Sequence, residues 1–342
     1  MFALAGCGSS ISSGAATVGP PDPPSTDWYS VYFTQPGDPA MRGYRGGPDQ
    51  HLADAIKAAR LSVDLAVLDL DLWSLRDVLI DAHRRGVAVR LVVESDYLAG
   101  KEIQEIREAG IPVLGDRREG LMHNKFAVID RAEVWTGSMN YTVSEAYRNN
   151  NNLIRLRSPR LAENYTTEFD EMFADDLFGP GSPANTPHPV FSVEGVQLEV
   201  FFSPDDGVTQ QLVELVARAE ESVYFLAYSF TSDDLAGALI ERHQSGVEVA
   251  GVMEARQVES NTGSEYERLR AEGIDVRLDG NPDNMHHKVL IIDGQIVVTG
   301  SFNFSRSAEE RNDENTLVVH APQLAALYLD EFEEVFSEAQ NR

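Results

Sequence analysis

The sequence is poor in the features that would assign it to several common classes of protein. Among its 342 residues there is one cysteine, Cys7, so no disulfide can form within the chain. No run approaches the roughly 20 apolar residues that a membrane-spanning helix needs. An apolar content of 42% with few low-complexity tracts is typical of a globular protein, with room for one large or two medium domains.

Positive charge is also scarce. The 28 Lys and Arg residues are outnumbered by 55 Asp and Glu residues, which gives a net charge of −27 and a field that repels polyanions. A nucleic-acid partner would therefore need a local basic cleft, whereas an exported protein would be kept soluble by such acidity. Lysine is the rarer base, and the four lysines are Lys57, Lys101, Lys125 and Lys288.

The segment around Cys7 leads to an expectation about localisation. Leu4-Ala5-Gly6-Cys7 resembles the lipobox of bacterial lipoproteins, in which the cysteine is lipidated and becomes the N-terminus. The Gly-, Ser- and Pro-rich residues that follow have the composition of a tether, so residues 1–26 are expected to be disordered. We expect export and a lipid anchor at Cys7 on a bacterial membrane, in the periplasm or at the cell surface, with secretion as the alternative.

Two stretches of the chain have the same residues at matching places: LMHNKFAVIDRAEVWTGSMNY from Leu121 and MHHKVLIIDGQIVVTGSFNF from Met285. Six identities share one offset of 163 residues, far more than ordinary residue frequencies produce by chance. The six pairs are His123/His286, Lys125/Lys288, Asp130/Asp293, Gly137/Gly300, Ser138/Ser301 and Asn140/Asn303. Two of the four lysines therefore lie at equivalent places in a duplicated motif.

The rest of each half repeats as well. Ser62 and Ser222 begin similar strands, and LAENYTTEFDEMF from Leu161 matches LAALYLDEFEEVF from Leu324. In the first half, apolar periodicity predicts helices over 49–60, 75–85 and 104–109 and strands over 62–70, 87–93, 111–114, 125–129 and 133–136. This alternation predicts two homologous α/β halves, residues 28–177 and 196–342, joined by a Pro- and Gly-rich linker over 178–195.

The motif brings a defined set of functional groups together. Residues two apart on a strand point to one face, so His123 and Lys125 share a face, as do Ser138 and Asn140 after the glycine. Lysine and asparagine donate hydrogen bonds to an oxyanion, while an imidazole can attack or protonate. Two such sets suit one tetrahedral phosphate held between the halves, with one histidine on each side of phosphorus.

The pattern HxKxxxxDxxxxxxGSxN, present in two copies, resembles the phospholipase D superfamily of phosphodiesterases and phosphatidyltransferases. The resemblance extends over about residues 28–340. It implies two α/β sandwich halves packed about a pseudo-twofold axis, with a single active site at their interface. It also implies a phosphohistidine intermediate, formed by one motif histidine while the other protonates the leaving alcohol. No metal or cofactor is expected, no protein partner is required, and the chain is expected to be a monomer.

The resemblance also assigns roles to the motif residues. His123 and His286 are expected as nucleophile and acid–base. The residues expected on the phosphate are Lys125, Lys288, Asn140 and Asn303, with Ser138 and Ser301 supporting either the phosphate or the histidine. Asp130 and Asp293 are expected to fix the loop without contacting the phosphate. His287 is expected to be structural, because adjacent residues of a strand face opposite sides and His287 would point away from His286. A metal site at the two histidines is not expected, since no spacing suggests a third ligand.

One position departs from the family pattern. The family usually has a carboxylate eleven residues after the motif asparagine, hydrogen-bonded to the motif histidine. The second half has Glu314 there, and the first half has Asn151. Since a carboxylate stabilises a cationic or phosphorylated imidazole better than an amide does, we predict that Glu314 contacts His286 and that His286 is the nucleophile. Relatives with two motifs often use the N-terminal histidine instead, so His123 stays open as the alternative.

The motif by itself leaves the substrate open. Cleavage of a phospholipid headgroup at a membrane surface, by hydrolysis or transfer, is the first expectation, because the chain is acidic and has a lipobox-like segment. The second is a nuclease acting on DNA or RNA, with a basic groove formed by Arg84, Arg85, Arg117, Arg118 and Arg148. A cardiolipin-synthase-like phosphatidyltransferase is third, and a catalytically silent phosphate-binding module is the non-enzymatic alternative.

Overall fold

The structure is a computed structural model that describes residues 1, 27–41 and 43–339. Cys7 and the rest of the segment 2–26, where the tether and the lipid anchor are expected, lie outside the described residues. The described chain consists of two α/β units of similar design, each built on one mixed sheet. The predicted fold class is confirmed.

The first unit alternates strands and helices. Its strands are β1 (Tyr29–Phe33), β2 (Ser62–Val67), β3 (Ala88–Val93), β4 (Val113–Gly115), β5 (Lys125–Ile129), β6 (Glu133–Gly137) and β7 (Asn152–Arg157). Its helices are α1 (Pro48–Ala58), α2 (Trp73–Arg84), α3 (Lys101–Glu108), α4 (Val143–Tyr147) and α5 (Pro159–Phe173). The sheet order is β1-β7-β6-β5-β2-β3-β4, in which β2, β3 and β4 are parallel and the other neighbours antiparallel.

The second unit repeats this plan. Its strands are β8 (Val190–Val193), β9 (Val196–Ser203), β10 (Ser222–Ala227), β11 (Glu248–Met253), β12 (Asp275–Leu278), β13 (Lys288–Ile292), β14 (Ile296–Gly300) and β15 (Glu314–Val319). Its helices are α6 (Val208–Ala217), α7 (Asp233–Gln244), α8 (Ala255–Ser260), α9 (Tyr266–Ala271), α10 (Arg306–Glu310) and α11 (Pro322–Glu338). The sheet order is β12-β11-β10-β13-β14-β15-β9-β8. The prediction of a plain linker over 178–195 is wrong in part, because β8 pairs with β9 as an edge strand.

Both faces of each sheet are covered, which explains why the central strands are apolar throughout. The motif strands β5 (KFAVI) and β13 (KVLII) are buried along their whole length. On the outer faces, α1, α2 and α3 pack on the first sheet and α6, α7 and α9 on the second. On the inner faces, α5 and α11 share one apolar core that includes Tyr165, Phe169 and Tyr328. The two halves are therefore joined through a common core.

The strand predicted over 62–70 ends early for a reason that matters for the site. Val67 is the last residue of β2 and pairs with Lys125 of β5. Leu70 then leaves this ladder and forms a bridge to Tyr141. Asp69, between them, accepts a hydrogen bond from Tyr141 N at 3.1 Å and so lies next to the segment of the motif asparagine. Among the described residues, no helix has the length and apolar character needed to cross a bilayer.

Candidate active site between the two halves

Two short backbone crossings join the halves and place the motif histidines. In the first, His123 N donates to Asp313 O at 3.0 Å and Asp313 N donates to Leu121 O at 2.9 Å. In the second, which is pseudo-symmetric to it, His286 N donates to Asn150 O at 2.9 Å. Each histidine is therefore fixed by the chain that leads into the last strand of the opposite half.

Glu314 directly follows the first crossing and contacts the histidine of the first half. Its Oε2 lies 2.7 Å from His123 Nδ1, and the two residues are 0% and 7% exposed. The predicted contact of Glu314 with His286 is therefore wrong. The reason is the crossing: Asp313 is bound to the His123 segment, so the next side chain reaches across the interface.

His286 has a carboxylate partner that was not anticipated. Its Nδ1 lies 3.1 Å from Asn151 Oδ1 and 3.2 Å from Glu145 Oε2. Asn151 Nδ2 donates to the same Glu145 oxygen at 2.6 Å, which joins the amide and the acid into one unit. Both motif histidines are thus held at Nδ1 from the opposite half, and among the described residues no hydrogen bond is made by Nε2 of either ring, which leaves these atoms for chemistry.

A comparison of the two repeats contains the signal for Glu145. At the offset of 163, Glu145 aligns with Ala308, and Asn151 aligns with Glu314. The first half thus has Glu and then Asn where the second has Ala and then Glu. The first half has a carboxylate at position 145 instead of position 151, six residues earlier and on helix α4. The aligned repeats therefore contain a carboxylate, at position 145, that could replace the one absent from position 151.

The motif lysines are buried beside the histidines. Lys125 Nζ donates to His123 O at 2.7 Å, and Lys288 Nζ donates to His286 O at 2.8 Å. Burial lowers the pKa of Lys125 to about 8. Burial, together with the charge of Lys125, lowers the pKa of Lys288 well below its ordinary range. An anion bound between the lysines would stabilise both charges, as a phosphate would.

Burial acts in the same direction on the imidazoles. It lowers the pKa of His286 to about 4, against the attraction of Glu145 and with help from the Lys288 charge. Burial also lowers the pKa of His123, opposed by Glu314. The charges of both lysines act on both imidazoles, so the two motifs form one electrostatic unit.

The motif serines face the strand behind the site. Ser138 Oγ donates to Asn151 Oδ1 at 2.8 Å and accepts from Asn152 N at 3.1 Å. Ser301 Oγ accepts from Asn315 N at 2.9 Å. These hydroxyls hold the first residues of β7 and β15 in place, and Ser138 thereby supports the amide that contacts the histidine of the second half.

The glycine before each serine is required by this close packing. A Cβ atom on Gly137 would lie 2.4 Å from Asn152 O, and one on Gly300 would lie 2.2 Å from Asn315 O. Both glycines have positive φ, 143° and 141°, which other residues rarely adopt. The motif therefore needs glycine for both space and backbone conformation.

The motif asparagines leave hydrogen-bonding groups for a ligand. Asn140 Nδ2 donates to Glu145 Oε1 at 3.2 Å. The Oδ1 atoms of Asn140 and Asn303 are buried and have no partner among the residues that the structure describes. A buried amide oxygen without a partner is costly, so these atoms are suited to contact a bound molecule.

The motif aspartates lie away from this site. Asp130 accepts hydrogen bonds from the backbone N–H groups of Arg60, Leu61 and Ser62, with its Oδ1 2.7 Å from Leu61 N. Asp293 accepts from the equivalent loop before β10. Both follow the far ends of β5 and β13, about 16 Å from the lysines at 3.3 Å per residue. Each ties down the loop before a neighbouring strand.

His287 faces the core between the halves. Its Nε2 lies 2.8 Å from Glu331 Oε1, its Nδ1 lies 3.1 Å from Asn152 Nδ2, and the residue is fully buried. In the first half Asn124 takes this place, and its Nδ2 is 3.5 Å from Glu168 Oε1. Within residues 27–41 and 43–339, no group of three His, Cys, Asp or Glu side chains has the geometry to hold a metal ion.

The arginines expected to line a nucleic-acid groove do not converge on the site. Arg84 and Arg85 precede β3, whereas the site lies at the other end of that strand, about 20 Å away at 3.3 Å per residue. Arg117 and Arg118 each form an ion pair with an aspartate. Arg148 is exposed at the end of α4. Of the five arginines, two are therefore remote from the site, two are paired with aspartates, and Arg148 is exposed.

The duplicated design is matched by a known family. A family model described as "Cardiolipin synthase, PLD-like domain" fits residues 52–173 and again residues 212–336. The chain belongs to the phospholipase D superfamily. Each match contains one copy of the motif, so the family model recognises both halves.

Relatives within the phospholipase D superfamily are similar over part of their length. The chain is 38% identical over 128 residues to a phospholipase D of Rickettsia typhi. The aligned region covers 37% of this chain and 62% of that protein. It is 32% identical over 126 residues to a mitochondrial cardiolipin hydrolase of Chlamydomonas reinhardtii, which covers 37% of this chain and 56% of that protein. The chain thus spans about three fifths of the length of these curated relatives.

Among solved structures, a phosphatidylserine synthase of Haemophilus influenzae Rd KW20 superposes with a TM-score of 0.66. The superposition covers 91% of this chain and 86% of that one at 13% identity. This likeness shows a shared fold that includes both halves.

Proposed function

We propose that this member of the phospholipase D superfamily is a phosphodiesterase that cleaves the headgroup phosphodiester of a phospholipid through a phosphohistidine. The observation behind the proposal is the pair of imidazoles, each held at Nδ1 from the opposite half, with a buried lysine beside each. A phosphate placed between them would meet two ammonium groups and two free Nε2 atoms. That arrangement suits in-line displacement at phosphorus.

In this proposal His286 attacks phosphorus and His123 protonates the leaving oxygen. Burial keeps His286 neutral at neutral pH, with a pKa of about 4, as a nucleophile requires. Glu314, 2.7 Å from His123 Nδ1, opposes the burial that lowers the pKa of His123 and would stabilise the imidazolium that acts as the acid. The Nε2–P bond forms as the P–O bond to the headgroup breaks. His123 then accepts a proton from water, whose oxygen displaces His286 from phosphorus.

The choice of a phospholipid over a nucleic acid rests on charge. The chain has a net charge of −27; of the arginines considered for a groove, Arg84 and Arg85 lie far away, Arg117 and Arg118 are paired with aspartates, and Arg148 is left exposed. A nucleic-acid strand would be repelled along its whole length, whereas a headgroup phosphodiester brings a single negative charge. The activities named for a phospholipase D and a cardiolipin hydrolase among the relatives also favour a lipid.

Location and assembly belong to the same proposal. Lipid attachment of an exported protein at Cys7 would hold the enzyme at the surface that contains its substrate. A Cys7→Ala variant that stays in the membrane fraction would contradict this.

Both motifs come from one chain, so we also propose a monomer, with a mass near 37.7 kDa by light scattering.

The test is one series of assays with EDTA present. Phosphatidylcholine, phosphatidylethanolamine, cardiolipin, single-stranded DNA and double-stranded DNA are compared as substrates. We expect headgroup release from lipid without added metal, and its loss in His123→Ala and His286→Ala, with His243→Ala on α7 as the control. DNA cleavage without lipid turnover would favour the nuclease, and a strict metal requirement would contradict the mechanism.

The same series of assays distinguishes a hydrolase from a transferase and from a binding module. Formation of a new phospholipid from an added alcohol, with release of the original headgroup but without phosphatidic acid, would favour a phosphatidyltransferase. Lipid binding without turnover would favour a phosphate-binding module. Acid-free quenching during turnover of 32P-labelled lipid should place the label on His286, and a label on His123 would reverse the two roles.

A further inference from the structure

We propose that the ion pair between Arg118 and Asp313 positions His123, the acid of the proposed reaction, by holding the backbone crossing from which Glu314 reaches it. Both members of the pair are positioning residues in this proposal, since they would act through Glu314 and His123. The inference rests on the proposed function, because it takes His123 as the group that protonates the leaving oxygen.

Asp313 lies at the centre of the first crossing between the halves. Its N donates to Leu121 O at 2.9 Å, and its O accepts from His123 N at 3.0 Å. The next residue is Glu314, whose carboxylate contacts His123 Nδ1 at 2.7 Å. A shift of Asp313 would therefore move both the backbone of His123 and the carboxylate that orients its ring.

Arg118 fixes the side chain of Asp313. Asp313 is 1% exposed, its Oδ2 accepts a hydrogen bond from Arg118 Nη2, and its Oδ1 accepts from Gly179 N at 2.5 Å. Arg118 Nη1 also donates to Arg311 O, two residues before Asp313, at 2.7 Å. One guanidinium thus binds the chain before β15 at two points, and its hydrogen bond to the carboxylate is charge-assisted.

The surroundings of Asp313 are acidic. Among the described residues, Arg118 is the one cation that forms an ion pair with it. Burial raises the pKa of Asp313 to about 6 although the Arg118 charge lowers it, and Asp116 adds to the rise. The charge of Asp313 acts in turn on three further acids, Glu168, Glu171 and Asp205. Without Arg118, a buried carboxylate would be left among acids with no counter-charge, so it would have to move or take up a proton.

The second crossing has the same bridge without charge. At the offset of 163, Asn281 and Asn150 take the places of Arg118 and Asp313. Asn281 Nδ2 donates to Asn150 Oδ1 at 2.7 Å and to the backbone oxygen two residues before Asn150 at 3.0 Å. An amide pair is therefore sufficient to join the halves at a crossing, and the ion pair at the first crossing needs another explanation.

The position of the ion pair suits the role proposed for His123. As the acid, His123 is positively charged before it donates its proton, whereas His286 attacks as a neutral imidazole. Glu314 has to stay close to His123 Nδ1 to stabilise that charge. A charge-assisted bridge one residue before Glu314 restrains the carboxylate more strongly than an amide bridge does.

The experiment compares two short-chain phosphatidyl esters that differ only in the leaving group. Phosphatidylcholine releases an alcohol, whose oxygen needs a proton, whereas phosphatidyl-p-nitrophenol releases a phenolate that leaves without one. The value measured for both is kcat/KM, which reports transition-state stabilisation relative to the free enzyme and substrate. Arg118→Ala should lower it about 10- to 100-fold for phosphatidylcholine and less than about threefold for the nitrophenyl ester.

A second substitution tests the cause of this loss. Arg118→Ala/Asp313→Asn removes the unpaired carboxylate and introduces the residue type found at position 150. Its kcat/KM for phosphatidylcholine should be about tenfold higher than that of Arg118→Ala. Glu119→Ala is the matched control, since Glu119 is exposed and, among the described residues, pairs only with Arg311. It should leave both values unchanged.

Asp313→Asn alone keeps the shape of the side chain and provides the same test if Arg118→Ala does not fold by circular dichroism. It should lower the ratio of kcat/KM between the choline and nitrophenyl esters at least about threefold. An unchanged ratio in this variant, or an equal loss on both esters in Arg118→Ala, would overturn the positioning role. A double variant no better than Arg118→Ala would also overturn it. Failure of the wild-type enzyme to cleave either ester would overturn the proposed function, and the positioning role with it.

Discussion

The two halves each supply a carboxylate to the opposite motif histidine, but from different places in the chain. In the second half it comes from Glu314, the first residue of β15, which contacts His123 at 2.7 Å. In the first half it comes from Glu145 on α4, which contacts His286 at 3.2 Å. A duplicated fold can thus keep a contact while changing the residue that makes it.

This exchange also makes the two histidines unequal. Glu314 is the acceptor closest to His123, whereas Glu145 shares His286 with the amide of Asn151 and binds that amide as well. A direct carboxylate stabilises an imidazolium more than a shared one does. Two histidines at equivalent places of the repeats can therefore have different roles, one as the acid and the other as the nucleophile.

The largest expected effect comes from removing the relocated carboxylate. Glu145→Ala should lower kcat about 10²- to 10⁴-fold, because His286 loses the acceptor that orients its ring. The double variant Glu145→Ala/Asn151→Glu recreates the arrangement of the second half. Its kcat should be at least about tenfold higher than that of Glu145→Ala. Both are measured on bis(p-nitrophenyl) phosphate, with pH profiles and circular dichroism.

Glu310→Ala on α10 is the matched control, since Glu310 is exposed and pairs only with Arg306 among the described residues. It should retain full activity. A folded Glu145→Ala enzyme with an unchanged kcat and pH profile would show that the contact at 3.2 Å does not position His286. A double variant no better than the single one would show that positions 145 and 151 are not interchangeable.

Local patterns explain what could be predicted before the structure. The strand over 125–129 agrees residue for residue with β5, and the duplication indicated both halves and the motif residues at their interface. The Glu314–His123 contact could not be predicted in the same way. It depends on the backbone crossing at Asp313, a long-range contact that no periodicity reports. Glu145 was missed because the family pattern directed attention to position 151 alone.

The core between the halves offers a second comparison. Glu331 contacts His287 at 2.8 Å, whereas its counterpart Glu168 has, within the part of the chain that the structure describes, only Asn124 at 3.5 Å as a hydrogen-bond partner. Burial raises the pKa of Glu168 well above its usual range, with nearby Asp313 adding to it. Burial likewise raises the pKa of two neighbouring acids, Glu171 and Asp205, to about 7.

Replacement of the core glutamate by glutamine should therefore change the free energy of unfolding in opposite directions in the two halves. At these acids the folded state retains protons that the unfolded chain releases, so their contribution to the free energy of unfolding should decrease as pH rises from about 4 to about 7. Glu168→Gln should raise the free energy of unfolding at pH 8 by about 1–3 kcal/mol and weaken this pH dependence. Glu331→Gln should lower it by about 1 kcal/mol, because His287 loses a charged acceptor.

Denaturant unfolding at pH 5 and pH 8 measures both variants. A difference in stability between the two pH values that Glu168→Gln leaves unchanged would mean that Glu168 is not held protonated in the folded state. Destabilisation of similar size by both substitutions would mean that the two core positions are equivalent after all.

The smallest effect is expected where the halves are alike. Asp130 and Asp293 each accept three backbone N–H groups at φ of 52°, a conformation that asparagine tolerates well. Asp130→Asn and Asp293→Asn should each lower the free energy of unfolding by about 1–2 kcal/mol, because one charged acceptor oxygen is replaced by a donor. The two losses should agree within about 0.5 kcal/mol, and kcat should not change, since both loops lie at the far end of the sheets. A fall in kcat in one variant would mean that the loop held by its aspartate affects the site through the motif strand of that half. The halves would then differ in this loop contact as well as in their carboxylates.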